Sequence, residues 1–196
     1  DIIHCNDWHT ALVPMLLGES NKLSGEKETL NAQSARTIIT IHNLLYQGET
    51  GLGIALRLGV PKERFHVFNT PLGAALRLLR EGLEYADIIT TVSPTYAKEI
   101  SRRGAPHSTR ALLAKRRKDL FGILNGIDQS LWNPKRDEYL PTNFDRHSVD
   151  TGKRSVKRYL QKAVGLPDSQ VPLFGFVGRL EERQKGTDLI ARAVAA

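Results

Sequence analysis

The chain has 196 residues, of which 40% are hydrophobic and 25% charged, a composition typical of a globular protein with room for one domain or parts of two. This composition excludes disordered and collagen-like chains, and no apolar run approaches the ~18 residues that a membrane span needs. The single cysteine, Cys5, excludes an internal disulfide and fits a cytoplasmic protein. Because residues 1–4 resemble the middle of a strand and residues 190–196 end inside an apolar helical pattern, we expect an internal fragment of a longer protein.

The formal net charge of +7 favours anionic partners without specifying which. Many of the basic residues lie between Lys98 and Lys118, a segment called the basic stretch below, where Glu99 is the one acidic residue. No aromatic residue follows Tyr96 in this segment, whereas proteins that bind single-stranded nucleic acids combine basic grooves with stacking aromatics. We therefore interpret the basic stretch as a solvated helix face and loop, and expect no nucleic-acid partner.

Short β-branched or apolar runs alternate with segments of helical periodicity along the chain. The predicted elements, in chain order, are strand 1–4, an exposed connection over 18–35, strand 37–43, a helix from Thr70 to Ala86, strand 87–92, a helix from Ser93 to about Arg103, strand 121–124, a polar surface segment to about Asp150, a helix that ends before Gly165 and Pro167, strand 171–178 and helix 187–196. Such alternation predicts an α/β fold with parallel sheets.

The helix predicted from Thr70 rests on two signals. Thr70-Pro71 is a typical helix start, since threonine caps helices well and proline is favoured at their first position. Apolar residues from Leu72 to Ala86 then recur at helical spacing, which predicts one buried stripe. Gly82 inside this helix costs about 1 kcal/mol relative to alanine, and close packing of another backbone would explain it.

Polar side chains follow the predicted strands at the positions where parallel sheets usually bind ligands, which are the carboxyl ends of the strands. The sequence places there a group of residues capable of hydrogen bonding or of carrying charge, namely His4, Asp7, His9, His42, Asn43, Tyr46, Gln47, Asn125 and Arg179. One polar residue at a strand end is routine, but their recurrence at four strand ends predicts a binding site.

Three of these residues, His4, Asp7 and His9, could form a metal site, since imidazole and carboxylate are ordinary ligands. No fourth ligand lies at a characteristic distance, however, and Trp8 beside His9 suits sugar stacking or packing equally well. His9 and His42 could also be capping or core histidines. We expect no metal.

The segment 178–186 joins a predicted buried strand to a predicted helix. Its glycines allow a ligand to approach the backbone, and the helix start at Gly186-Thr187 offers free N–H groups to an anion. Arg179 and Lys185 add two positive charges, so the segment could hold a diphosphate. The Gly-x-Gly-x-x-Gly dinucleotide pattern is absent, and the neighbouring Glu181 and Glu182 could instead bind a cation.

Several motifs in this chain resemble, in this order, those of the bacterial glycogen synthases and plant starch synthases. They are Asp7-Trp8-His9, Thr40-Ile41-His42-Asn43 with Tyr46-Gln47-Gly48, Tyr85-Ala86-Asp87 leading to Thr91-Val92-Ser93-Pro94-Thr95-Tyr96-Ala97, Leu124-Asn125-Gly126-Ile127-Asp128 with Trp132 and Pro134, and Gly178-Arg179-Leu180 with Gln184-Lys185-Gly186. The motifs extend over nearly the whole chain, and none of them alone would be sufficient.

The resemblance implies an α/β protein of two Rossmann-like domains, the B-type glycosyltransferase fold, with both domains incomplete. Residues 1–121 would belong to the N-terminal domain, and residues 122–196 would form the domain crossing and the start of the nucleotide-sugar domain. The implied reaction transfers glucose from ADP-glucose to the non-reducing end of an α-1,4-glucan with retention of configuration. The implied partners are thus a nucleotide sugar and a glucan, without a cofactor, metal, nucleic acid or membrane, in the cytoplasm or a plant plastid.

The resemblance also implies a role for each matching residue. His9 matches the active-site histidine beside the transferred glucose, and Arg179 and Lys185 match the pair that binds the diphosphate, so these three are the expected catalytic residues. The expected substrate-binding residues are Asp7, His42, Asn43, Tyr46, Gln47 and Asn125. Among these, Asn125 matches a residue of the glucose pocket, and Tyr46 and Gln47 lie on the acceptor side.

The chain also departs from the family pattern. Arg179 and Lys185 are six positions apart where many bacterial members have five, and residues 104–120 lack the expected tyrosine and glycine pattern. The Lys-x-Gly-Gly-Leu loop and the glutamate-bearing segment that faces the donor sugar do not occur in these 196 residues. The remaining alternatives are another B-type glycosyltransferase, such as a sucrose synthase-like protein, and a non-catalytic glucan-binding paralogue.

Overall fold

The computed structural model describes residues 1–23, 35–102 and 108–195. The chain divides into two compact units, Asp1–Gly126 and Ile127–Ala196. Among the helices described, none is both long enough and apolar enough to cross a bilayer. The elements of the first unit are β1 (Ile2–Asn6), α1 (Leu12–Leu23), β2 (Arg36–Ile41), β3 (Glu49–Gly51), α2 (Gly53–Leu58), β4 (Phe68–Thr70), β5 (Gly73–Arg77), α3 (Leu78–Tyr85), β6 (Ile88–Thr91), α4 (Pro94–Ile100), α5 (Thr109–Lys115) and β7 (Leu120–Gly122).

A parallel sheet of order β1-β2-β6-β7 forms the centre of the first unit. One face is largely apolar, because Ile39, Ile41 and Ile89 are buried in one cluster with Leu79 and Leu83 of α3. The four strands predicted in this half of the chain are confirmed, and their shared direction brings all four carboxyl ends to one edge of the sheet. The segments that follow β1, β2 and β7 at that edge carry five of the residues predicted to bind ligands, namely Asp7, His9, His42, Asn43 and Asn125.

Two predicted boundaries shift in the first unit. The Ser93 hydroxyl accepts a hydrogen bond from the backbone N–H of Tyr96, which confirms the predicted start of α4, but the helix ends at Ile100. Residues 18–23 of the predicted connection belong to α1, a helix that was not predicted, and residues 24–34 lie outside the described part.

The helix predicted from Thr70 is wrong in its first half, where a β-hairpin forms instead. Thr70 pairs with Gly73 across a tight turn, and the Thr70 hydroxyl bonds to Leu72 N and Gly73 O. Leu72, the first residue of the predicted stripe, is 100% exposed. The hairpin forms because β5 pairs with both β3 and β4, so the backbone hydrogen bonds of residues 73–77 go to other strands rather than to a helix.

Gly82 lies within the helical second half, where the expected close backbone contact is confirmed. A Cβ atom at Gly82 would lie 2.3 Å from the carbonyl oxygen of Ala11 and 2.8 Å from its Cα atom. Ala11 is completely buried, so neither backbone can move into open space. The glycine is therefore what allows α3 to pack on the turn that follows β1.

Asp87 ties the start of β6 to the start of β2. Its carboxylate accepts hydrogen bonds from Arg36 Nη1 at 2.7 Å and from the N–H and hydroxyl of Thr37 at 2.7 and 2.9 Å. Partial burial opposes ionisation of this carboxyl, but the bonds from Thr37 and Arg36 outweigh it, so its pKa lies below the ordinary value. The native state therefore favours the charged form.

We expect Asp87→Asn to lower the free energy of unfolding at pH 7 by about 1–2 kcal/mol, because it weakens charge-assisted bonds to Arg36 and Thr37. A pKa that is lower in the folded state contributes stability above the unfolded value of about 4, and that contribution is lost as the pH falls through the folded pKa. The difference between the variant and the unsubstituted protein should therefore shrink below about pH 4. Urea unfolding at several pH values measures this, with exposed Glu63→Gln as control. A difference that stays constant with pH would contradict it.

Arg116, which belongs to the basic stretch, binds other residues of the fold through its side chain. Its guanidinium donates to the carbonyl oxygens of Leu83, Ala86 and Asp87 at 2.7, 2.6 and 3.1 Å, and pairs with Asp119 at 3.0 Å. The side chain is 17% exposed. Arg116 therefore satisfies carbonyls at the end of α3, a structural role that the sequence pattern did not indicate.

The second unit contains three helices in its described part, α6 (Val149–Ala163), α7 (Glu182–Lys185) and α8 (Thr187–Ala195). Gly165, at φ 73°, follows α6 as predicted, and α8 confirms the last predicted helix. The strand predicted over residues 171–178 is wrong, because this segment has no strand pairing and its residues Phe174 and Val177 are 91% and 101% exposed. A parallel strand needs neighbours, and the described part of this unit contains no strand to pair with it.

Candidate active site

The loops after β1 and β2 meet at the carboxyl edge of the sheet, and Asp7 joins them. Its backbone N–H donates to Thr40 O at 2.9 Å, and its carboxylate Oδ1 accepts from the backbone N–H groups of His42 at 2.8 Å and Asn43 at 3.4 Å. Asp7 is also the one described residue other than glycine with positive φ, at φ 52° and ψ −166°. The two loops are thus held together by one strained residue.

His42 and Asn43 are oriented by further local bonds. His42 Nε2 donates to Asn6 Oδ1 at 3.0 Å, a bond that again joins the β2 loop to the end of β1. The side-chain oxygen of Asn43 accepts from the N–H of Leu45 at 3.0 Å, as in an Asx turn. The structure therefore brings His42 and Asn43 directly against the segment that leads into His9.

His9 lies exposed in a short 3₁₀ turn, Trp8–Thr10, directly after Asp7. Its imidazole stacks on the Trp8 indole, with ring centroids 4.0 Å apart and planes 27° from parallel. On another side, Trp8 packs against Gly48, where a Cβ atom would lie 2.7 Å from Trp8 Cε3. Gly48 also has φ 63°, so a glycine is needed here for both conformation and space.

A groove of about 580 Å³ opens beside this stack. That volume lies within the range of about 300–1,000 Å³ found for small-molecule sites. Its lining combines aromatic, amide and carboxylate side chains with backbone, namely Trp8, Leu45, Tyr46, Gln47, Gly48, Glu49, Thr50 and Leu78. Aromatic faces with hydrogen-bonding groups at their rim suit a ligand that is apolar on its faces and rich in hydroxyls at its edge, as a sugar is.

Gln47, one of the predicted substrate-binding residues, uses both ends of its amide within the fold. Its Nε2 donates to Leu44 O, and its Oε1 accepts from the hydroxyl of Thr109 in α5 at 2.6 Å. Its backbone oxygen accepts from Leu79 N at 3.1 Å. Gln47 therefore anchors the groove wall to α3 and α5, while half-exposed Tyr46 presents its ring to the groove.

Three residues of this region, Thr109, Glu49 and Arg77, were not predicted from the sequence. Thr109 fixes Gln47, and Glu49 at the groove rim pairs with Arg77 at 2.9 Å. Arg77 lies at the end of β5, in the hairpin that was predicted as a helix. No local signal in the sequence joins residues 28 or 62 positions apart, so these pairs follow from the tertiary fold alone.

Two of the residues considered as metal ligands, His4 and Asp7, have partners within the fold. His4 Nε2 bonds to the Thr40 hydroxyl at 2.6 Å, and Asp7 holds backbone N–H groups as described above. Across the ranges that the structure describes, no three histidine, cysteine, aspartate or glutamate side chains are grouped as a metal site requires.

The remaining predicted residues lie elsewhere. Asn125 comes three residues after β7, at the carboxyl edge of the same sheet. Arg179 and Lys185 belong to the second unit, where both are exposed. Glu181 accepts from the backbone N–H of Gln184 at 2.6 Å and thereby caps the short α7, so Lys185 ends a helical turn rather than lying in an open loop. Gly186, at φ 62°, separates α7 from α8.

Comparisons with known proteins identify the family. Residues 1–115 match the family model described as "Starch synthase catalytic domain". Glycogen synthases of Francisella tularensis subsp. novicida (strain U112) and of F. tularensis subsp. tularensis (strain WY96-3418) are each 40% identical over 195 residues. These alignments cover 99% of this chain and 38% of each relative, so the chain spans 38% of the length of the curated relatives it matches.

A solved structure agrees with this match. The catalytic domain of starch synthase IV from Arabidopsis thaliana bound to ADP and acarbose is 33% identical, with a TM-score of 0.79 over 100% of this chain and 39% of that one. The α/β fold of this chain, with its parallel sheet, thus matches the fold of that catalytic domain. The resemblance carried by the sequence motifs is confirmed, and the chain belongs to the starch synthase catalytic domain family.

Proposed function

We propose that this chain forms part of a retaining glucosyltransferase that transfers glucose from ADP-glucose to the non-reducing 4-OH of an α-1,4-glucan. The observation that carries the proposal is the groove lined by Trp8, Tyr46 and Gln47 beside the exposed imidazole of His9, in a chain of this family. The glycogen synthase relatives and the ADP-bound starch synthase IV domain support the same reaction class.

The proposed reaction gives Arg179, Lys185 and His9 distinct roles. Breaking the bond between glucose and phosphate leaves a nucleoside diphosphate with growing negative charge, which fixed cations stabilise strongly in a dry site. Arg179 and Lys185 supply such cations, and no metal ion takes part in the proposed reaction. His9 hydrogen-bonds the transferred glucose, Asn125 lines the glucose pocket, and the rings of Trp8 and Tyr46 stack on sugars of the acceptor.

We expect the isolated 196 residues not to turn over ADP-glucose, because they lack the Lys-x-Gly-Gly-Leu loop and the glutamate segment of the family pattern. The complete polypeptide that contains them should release ADP from ADP-glucose when glycogen is present. A coupled ADP assay measures both, with product chain length followed by chromatography. Sustained turnover by the isolated residues would contradict the expectation.

The same assay separates the alternatives. Transfer to fructose instead of glycogen would favour a sucrose synthase-like enzyme, and faster turnover of UDP-glucose would change the assigned donor. Glycogen binding by the complete polypeptide without release of any nucleotide would favour a non-catalytic glucan-binding protein. Each of these results would overturn the proposed reaction.

A further inference from the structure

We propose that Asp7 is a positioning residue, which holds the loop 42–48 and the Trp8-His9 pair in their working arrangement without touching the sugar. The inference rests on the proposed function, because it concerns how that site is assembled. It replaces the expectation from the sequence that Asp7 binds substrate directly.

The first argument is the use of the carboxylate. Oδ1 of Asp7 accepts from two consecutive backbone N–H groups, those of His42 and Asn43, at 2.8 and 3.4 Å. These groups follow β2 directly, where the chain leaves the sheet and its N–H groups lose their strand partners. A carboxylate that accepts backbone N–H bonds forms stronger bonds than a neutral acceptor does, so the start of the loop is fixed to the end of β1.

The second argument is the backbone of Asp7 itself. The combination of φ 52° and ψ −166° lies near a region that is almost restricted to glycine. Glycine would adopt it at little cost, whereas an aspartate there carries strain. The hydrogen bonds that the Asp7 side chain accepts from His42 and Asn43 offset this strain.

The third argument is what the arrangement positions. The reversal at Asp7 leads directly into the Trp8–Thr10 turn, which the Thr10 hydroxyl closes by bonding to Asn6 N at 2.6 Å and Asn6 O at 3.0 Å. Trp8 then lies between His9 on one side and Gly48 on the other. Asp7 thus fixes both ends of the loop 42–48. Its carboxylate binds the first end at His42 and Asn43, and the neighbouring Trp8 packs against the last residue, Gly48.

Two substitutions in the complete polypeptide separate positioning from direct contact. Asp7→Gly removes the acceptor and relieves the strain, so the protein should remain as resistant to heat as before while kcat for glucosyl transfer falls about tenfold or more. Asp7→Asn keeps an oxygen that accepts from His42 and Asn43, and should retain kcat within about fivefold.

Amide hydrogen exchange supplies a measurement that does not depend on activity. Exchange at His42 and Asn43 should accelerate in Asp7→Gly and stay near that of the unsubstituted protein in Asp7→Asn. If Asp7→Asn loses as much activity as Asp7→Gly while its exchange is unchanged, the carboxylate contacts the substrate and the proposal is wrong. Full activity in Asp7→Gly despite faster exchange would also overturn it. If exchange follows the expected pattern but no variant transfers glucose, the anchoring by Asp7 stands and the proposed function fails.

Discussion

Lys185→Ala in the complete polypeptide should lower kcat/KM for ADP-glucose about a hundredfold, and Arg179→Ala should have an effect of similar size. Both side chains are exposed cations, and Lys185 ends α7 two residues before α8 begins. Because the charge on the leaving diphosphate grows toward the transition state, a fixed cation stabilises that state more than the ground state. Loss of one cation should therefore lower kcat as well as weaken binding.

A matched control is available on the same unit. Lys162 is an exposed lysine of α6 outside the segment 178–186, so Lys162→Ala removes the same charge without touching the proposed diphosphate site. Steady-state kinetics with ADP-glucose, together with calorimetric titration of ADP, compares the two variants. Unchanged ADP affinity and kcat in Lys185→Ala would remove this residue from the site, and equal losses in both variants would point to a general effect of net charge.

The second large effect concerns stability. Gly82→Ala should lower the free energy of unfolding by about 3 kcal/mol, because the added methyl group would lie 2.3 Å from the carbonyl oxygen of Ala11. Alanine is intrinsically better in a helix than glycine by about 1 kcal/mol, so the steric term has to exceed that gain. Since Ala11 follows the turn that carries His9, activity should fall along with stability. Urea unfolding, followed by circular dichroism, measures the change.

Gly53→Ala is the matched control for this substitution. Gly53 also lies in a helix, α2, but an added Cβ atom there meets nothing within 4 Å. The control should change stability by less than about 1 kcal/mol, in the stabilising direction. If both alanine variants were equally stable, close packing of α3 on Ala11 would not be the reason for the glycine.

The central sheet could be predicted from sequence because its signal is local. Each of its strands is a short β-branched or apolar run, and both faces of these runs tolerate burial in a parallel sheet. The start of α4 was equally readable, since Ser93 and Pro94 encode it within two residues. The family motifs lie at the ends of these same elements, which is why the sequence points to a candidate site there.

Elements that depend on distant partners could not be predicted in this way. Residues 73–77 have spacing compatible with a helix, and their pairing with Glu49–Gly51 and Phe68–Thr70 decides the outcome. Residues 171–178 show the reverse case, since a strand-like composition forms no strand without a neighbouring strand. In the candidate site, Asp7 and Gln47 were predicted to bind substrate, but their hydrogen bonds to backbone and side-chain partners within the fold were not predicted.

The hairpin region also bears on how proteins of this architecture can diversify. The chain between Gly48 and Leu78 begins and ends beside the groove, and its two ends are joined by bonds from Leu78 N to Gly48 O at 3.2 Å and from Leu79 N to Gln47 O at 3.1 Å. Residues 49–77 therefore form a segment whose two ends are held together by hydrogen bonds. The entropic penalty of lengthening a segment with fixed ends rises slowly with its length. We expect insertions and deletions at its tip, around exposed Leu72, to be tolerated without displacing Tyr46. The tip around Leu72 can then vary in length while the carboxyl edge of the sheet, which carries Asp7 and His42, stays constant.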